Sequence, residues 1–167
     1  GGDWQLVWGP GVYQILPSSG KADNTAFVVY SPSQDTYILS IAGTNPTAFL
    51  DWLVEDFEVG PHMLVNWPYE GSQPPVTAPK NPIRPQISLG TAKGLYFLLN
   101  RLVQATNAPH PNLTLGQYLS QLQSKSSQSR LIVTGHSLGG ALAPTVANWA
   151  RLTLSHGSAW QGKIYAM

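Results

Sequence analysis

Apolar residues along the chain follow two periods, and the stretches that follow neither mark its connections. From Thr25 to Tyr30, and again from Tyr37 to Ala42, β-branched and aromatic residues dominate. The polar run Ser31-Pro32-Ser33-Gln34-Asp35 between them has turn chemistry, which predicts a β-hairpin. At Leu50 the period becomes helical: Leu50, Leu53, Val54 and Phe57 fall at i, i+3, i+4 and i+7, with Asp51, Glu55 and Glu58 on the other side. That pattern predicts a short amphipathic helix with an acidic outer face. Between Trp67 and Gln86 six prolines (68, 74, 75, 79, 82 and 85) break any period, since each lacks an N–H and restricts its predecessor. An extended loop is expected there, longer than most connections.

The second half alternates. Leu95, Leu98, Leu99, Leu102 and Val103 form one helical stripe; Leu115, Tyr118, Leu119 and Leu122 form another, opened by Thr114 and Gln117 at capping-box spacing. Leu131-Ile132-Val133 then suits a strand buried on both faces. Leu138, Ala141, Leu142, Val146, Trp149 and Leu152 make a third stripe, and Lys163 to Met167 begins another strand. Strand, helix and strand in that order predict a right-handed βαβ unit and a largely parallel sheet, an α/β architecture.

Composition narrows the partners. A chain of 167 residues, 43% hydrophobic, suffices for one domain with a core, and no internal repeat divides it. Only 10% of residues are charged and the net charge is +1, with Lys and Arg scattered, so no basic stripe is present to track a phosphate backbone. Nucleic acid is not an expected partner. No apolar run reaches the length of a membrane span, and the Gly1-Gly2-Asp3-Trp4 start has neither a basic n-region nor an apolar h-region, as in a mature secreted protein. The absence of cysteine removes disulfides and zinc–thiolate sites. Neither a metal nor a cofactor is expected.

The chemistry concentrates at Gly135-His136-Ser137-Leu138-Gly139. A serine hydroxyl is a poor nucleophile until it is held clear of its surroundings beside a base and an oxyanion site. A strained strand-to-helix turn does this, with glycines two before and two after the serine admitting a close turn and close packing. The apolar strand leading into the pattern, and the slim Gly140, Ala141 and Ala143 after it, supply that context. The competing explanation makes Ser137 an ordinary N-cap. His136 is expected to pack or hydrogen-bond rather than act as base, because neighbours at a sharp turn point apart. The N–H of Leu138 is one expected oxyanion donor, and the segment Gly43-Thr44-Asn45 is either the second or a plain turn.

Ile41-Ala42-Gly43-Thr44, then Trp52 in an acidic helix, then the run from Val133 to Ala143, together resemble the class 3 lipases, the fungal-type triacylglycerol lipase family. The likeness runs from about Thr25 onward and takes in Gly90 and the stretch Leu115 to Leu119. It implies an α/β-hydrolase fold, with a mostly parallel central sheet and helices on both faces. It also implies Ser137 as nucleophile, Thr44 and Leu138 as the oxyanion hole, and a secreted enzyme acting on lipid or other esters at a lipid–water interface. The helix carrying Leu50, Trp52, Leu53, Val54 and Phe57 then looks like the family's lid. Ala42 stands where the family usually has arginine, and Asp56 follows Trp52 one residue later than its pattern.

In this fold the triad order is Ser, Asp, His, yet no Asp follows Ser137, and the only later histidine, His156, sits far along the nucleophile helix. The chain is therefore expected to be a single, incomplete domain over residues 1–167, truncated or nicked after the strand that follows that helix. The remaining Asp and His would arrive on a second chain or a lost segment. The alternative is a non-catalytic acyl-ligand-binding module or an inactive fragment of the same fold. A feruloyl or phospholipid esterase would share the triad and differ in its pocket.

Overall fold

A computed structural model describes residues 2–14, 24–43, 63–78, 84–126, 128–153 and 160–167. Its main sheet has six strands: β1 (Gln5–Tyr13), β2 (Asn24–Ser31), β3 (Thr36–Ile41), β6 (Val103–Gln104), β7 (Arg130–Gly135) and β8 (Ile164–Ala166). They lie in the order β6-β1-β2-β3-β7-β8. A separate pair, β4 (Leu64–Asn66) and β5 (Gln86–Ser88), runs antiparallel. Three described helices, α1 (Leu89–Asn100), α2 (Leu115–Ser126) and α3 (Leu138–Leu152), follow in the second half.

The expected hairpin is β2–β3, paired from Ala26↔Ile41 to Ser31↔Thr36. Asp35 closes its turn with φ 44°, a left-handed conformation that Asp tolerates, and its N–H bonds to the Pro32 carbonyl at 3.3 Å. Tyr30 stacks on its cross-strand partner Tyr37 at 4.2 Å. The same Asp35 sets the next strand: its carbonyl accepts from Arg130 N at 3.0 Å and its carboxylate from Ser129 Oγ at 2.6 Å. The parallel register Thr36↔Arg130 starts there.

One expectation about the sheet needs correction. Across the described strands it is mixed rather than mostly parallel: β6, β1, β2 and β3 are successively antiparallel, and only β3–β7 and β7–β8 are parallel. Short hairpin connections can join only antiparallel neighbours, whereas the helix α3 carries the chain from β7 to its parallel neighbour β8. The three described helices lie against one face of the sheet. By register, the fully buried Val28, Leu39 and Val133 share one face, and α1, α2 and α3 all pack there through Leu95, Leu98, Leu119 and Val146. On the opposite face Leu6, Val29, Ile38, Ile132 and Tyr165 form a row across five strands, none of them buried. Ile132 is thus half-buried, not enclosed on both sides as the apolar run suggested.

The helices obey their sequence signals at their starts. Ser88 caps α1 by accepting from Thr91 N at 3.1 Å. Thr114 and Gln117 form a reciprocal capping box on α2, with bonds of 3.2 and 3.0 Å. The first stripe ends earlier than expected, since Val103 lies in β6 and is 72% exposed. Strand β1 has no counterpart in the sequence reading; it passes Gly9-Pro10-Gly11 with register shifts between Leu6, Trp8 and Gly11. The proline-rich stretch is irregular wherever it is described, but its ends are zipped together by β4–β5, by Trp67 N to the Pro85 carbonyl and by Ala78 N to the Leu64 carbonyl, both 2.8 Å.

Candidate active site

Strand β7 ends at Gly135 and α3 begins at Leu138, leaving His136 and Ser137 to make the whole turn. Ser137 has φ 55° and ψ −122°, a conformation that costs a non-glycine residue on the order of 1–3 kcal/mol. Neighbouring backbone holds it there. His136 N donates to the Ile41 carbonyl at 3.3 Å, Gly139 N to the His136 carbonyl at 3.0 Å, and Ala141 N to the Ser137 carbonyl at 3.2 Å. A Cβ on Gly135 would run into the backbone of Gly139 and Gly140, and one on Gly139 into the carbonyls of Ile41 and Ala42. The glycines thus let β3, the turn and the first turn of α3 touch backbone to backbone.

The Ser137 side chain is exposed and makes no capping hydrogen bond, which removes the N-cap explanation. Leu138, as the first residue of α3, has one of the N–H groups that a helix start leaves without an intrahelical acceptor, at the positive end of the helix dipole. His136 is exposed, and its Nδ1 faces Gly43: a Cβ there would lie 3.3 Å from it. Gly43 lies two residues past the end of β3 and is packed against the turn. Thr44, the lid candidates Leu50, Trp52, Leu53, Val54 and Phe57, and His156 lie outside the described residues.

Sequence reasoning missed one participant. The Ile41 carbonyl both accepts from His136 and abuts Gly139, so the end of β3 is part of the turn's scaffold. No side-chain pattern signals a carbonyl; only the pairing Ile41↔Gly135 brings it there. Among the described residues no cluster of His, Asp or Glu could hold a metal. A groove of about 830 Å³ lies elsewhere, lined by Tyr96, Leu99, Asn100, Gln117, Trp149 and Thr153, and shares no residue with the turn. Trp149 is twelve residues beyond Ser137, so about 18 Å of helix rise separates them.

A strand, a strained serine turn and a helix packed back on a sheet through glycines define the class: this chain has the α/β-hydrolase fold. The class 3 lipase family matches residues 80–161, which include the turn. Among solved structures the chain is similar to M37 lipase, at 30% identity and a TM-score of 0.71 over 98% of this chain and 44% of that one. It is also similar in fold to Lip2 lipase from Yarrowia lipolytica, at 16% identity and a TM-score of 0.51 over 93% of this chain and 43% of that one. The resemblance to class 3 lipases drawn from the motifs therefore holds. No curated protein matches the sequence. The chain spans less than half the length of the lipases it resembles, and each of those is one longer polypeptide.

Proposed function

We propose that this chain carries the nucleophile of a serine-dependent carboxylic-ester hydrolase acting on acylglycerols or related lipid esters. The observation that supports this most is the backbone of Ser137, held at φ 55° and ψ −122° with its hydroxyl exposed and uncommitted to a cap. Strain of this kind persists only where the surroundings enforce it, and its use here is to lift Oγ clear of both strand and helix.

In the proposed reaction Ser137 Oγ attacks the ester carbonyl carbon and gives its proton to a histidine base. The carbonyl oxygen becomes an oxyanion that accepts hydrogen bonds from Leu138 N–H and from Thr44. Collapse expels the alcohol, which takes the proton, and leaves an acyl-serine; water then attacks in the same way, releasing the acid and restoring Ser137. No cofactor takes part. The residues 1–167 form part of one α/β-hydrolase domain, and the Asp and His of the triad come from sequence outside them. Because the similar lipases are single polypeptides more than twice as long, the same chain, rather than a separate second chain, is the source this reading favours.

The segment with Leu50, Trp52, Leu53, Val54 and Phe57 is proposed as a lid, its apolar stripe covering the site in water and turning outward at a lipid surface. A rate on a short-chain ester that fails to rise above the ester's solubility limit would count against it. Secretion belongs to the same reading and is checked by recovering the protein from culture medium. The main test is labelling of the protein by a fluorophosphonate, with the site mapped by peptide mass. Labelling at Ser137, and a loss of ester hydrolysis on the order of 10⁴–10⁶-fold in Ser137→Ala, are expected. Folded protein that stays unlabelled and inactive would point instead to an acyl-binding module that has kept the fold.

A further inference from the structure

We infer that Asn112 is the attachment point of an N-linked glycan when this chain passes through a eukaryotic secretory pathway. The inference goes beyond ester hydrolysis: it shares only secretion with that reading and does not depend on Ser137. Asn112-Leu113-Thr114 is the one place in the sequence where asparagine is followed two residues later by Ser or Thr with a residue other than proline between them. Asn45-Pro46-Thr47 has the spacing, but its middle proline bars it. A three-residue pattern of this kind arises readily in any chain, so the placement of Asn112 carries the argument.

Asn112 is exposed in the turn between β6 and α2, and its side chain makes no hydrogen bond among the described residues. The turn is written locally. Pro111 presets the backbone before Asn112, and Leu113 N closes the turn on the His110 carbonyl at 3.0 Å. Contacts this short in sequence need no tertiary fold, so the amide is presented while the chain is still being made. In the finished fold the next residue is anchored instead: the Leu113 carbonyl accepts from Trp8 Nε1 at 3.0 Å and from Gln104 Nε2 at 2.9 Å. Thr114 serves twice. Its hydroxyl is free for recognition until α2 forms, and then accepts from Gln117 N at 3.2 Å as the helix cap. The donor class is a polyprenyl-diphosphate-linked oligosaccharide. The bond from Asn112 Nδ2 to the sugar C1 forms as the C1–O bond to the diphosphate breaks; the diphosphate leaves with the bonding pair, and an amide proton passes to a base of the transferase. The glycan would stand at the rim of the groove of about 830 Å³, whose lining residues Leu113, Thr114, Gly116 and Gln117 follow Asn112 directly in the chain. None of these belongs to the serine turn.

The test is to secrete the full-length protein, behind a cleavable signal, from two eukaryotic expression hosts. Release of N-glycans by an endoglycosidase in heavy-oxygen water leaves a labelled aspartate wherever a glycan stood, and peptide mass mapping locates it. Residue 112 is expected to be occupied in more than half of the secreted molecules from both hosts. Asn112→Gln should abolish the modification and leave ester hydrolysis at the wild-type rate. Thr114→Asp separates the two uses of Thr114, because aspartate caps a helix at least as well as threonine but does not complete the acceptor pattern. It should lose the glycan while melting within about 2 °C of enzymatically deglycosylated wild type. Thr114→Ser keeps both uses and should stay occupied. The inference is overturned if residue 112 carries a glycan in fewer than half of the molecules, or if Thr114→Asp remains glycosylated there. Glycosylated protein that fluorophosphonate leaves unlabelled would count against Ser137 as nucleophile and leave this site standing.

Discussion

Asp3 ties the start of the described chain to the β2–β3 turn with a single carboxylate, which accepts from Ser31 Oγ at 2.5 Å, Ser33 N at 2.7 Å and Ser33 Oγ at 3.0 Å. The Ser31 bond first, and the Ser33 N–H next, hold its pKa below the ordinary value of 3.8. A carboxyl more acidic in the folded state than in the unfolded one adds stability above its unfolded pKa, and that contribution is lost as pH falls through the folded value. Asp3→Asn should therefore lower Tm near neutral pH, with the gap to wild type closing as the pH is taken below 3.8. Paired thermal melts across that range check it, and a gap that stays constant down to the lowest pH would contradict it. At Ser137 the same scale shows the opposite economy. Its side chain makes no capping bond while its backbone bears strain, a combination that stability alone would not favour.

Helix starts are where local sequence acts most directly. In α2 the Thr114 hydroxyl and the Gln117 amide each satisfy the other's backbone N–H, and Leu115, Tyr118, Leu119 and Leu122 are buried behind them. Thr114→Ala should cost about 1 kcal/mol, read from urea unfolding as a lower midpoint at unchanged m-value. Loss of well under half that amount would mean that tertiary packing alone defines the start. The proline-rich arm depends on a different kind of bond. Trp149 Nε1 donates to the Glu70 carbonyl at 2.9 Å and Asn100 Nδ2 to the Gly71 carbonyl at 2.6 Å, so helices α1 and α3 supply the donors that a strand partner would otherwise give.

Over the whole molecule stability centres on β3, which has β2 on one side and β7 on the other. Leu39 is fully buried there, paired with Val28 and Val133. Its replacement by Ala should cost about 2–5 kcal/mol by equilibrium unfolding. Because Ile41 ends the same strand with its carbonyl bonded to the serine turn, Leu39→Ala should also broaden the placement of Ser137 and slow fluorophosphonate labelling. A destabilised variant that is labelled at the wild-type rate would show that the turn holds itself without the core beneath it.

The sequence by itself determined the elements that depend on near neighbours. The hairpin, the capped helices and the serine turn at the start of α3 each follow from contacts within a few residues: turn chemistry at 31–35, a capping box at 114–117, glycines on either side of Ser137. It also determined the likeness to class 3 lipases, since the same short-range constraints write the motif. Only the tertiary structure decided how those pieces meet. That β1 continues through Gly9-Pro10-Gly11, that Val103 leaves its helix for the sheet edge, and that the described sheet is mixed all depend on partners distant in the chain. One of these meetings is the contact of Gly43 with His136 and Ser137, more than ninety residues away. Backbone contact across that separation leaves only the absence of a side chain in the sequence, and a glycine in a turn-like tetrapeptide looks the same whether it turns or touches.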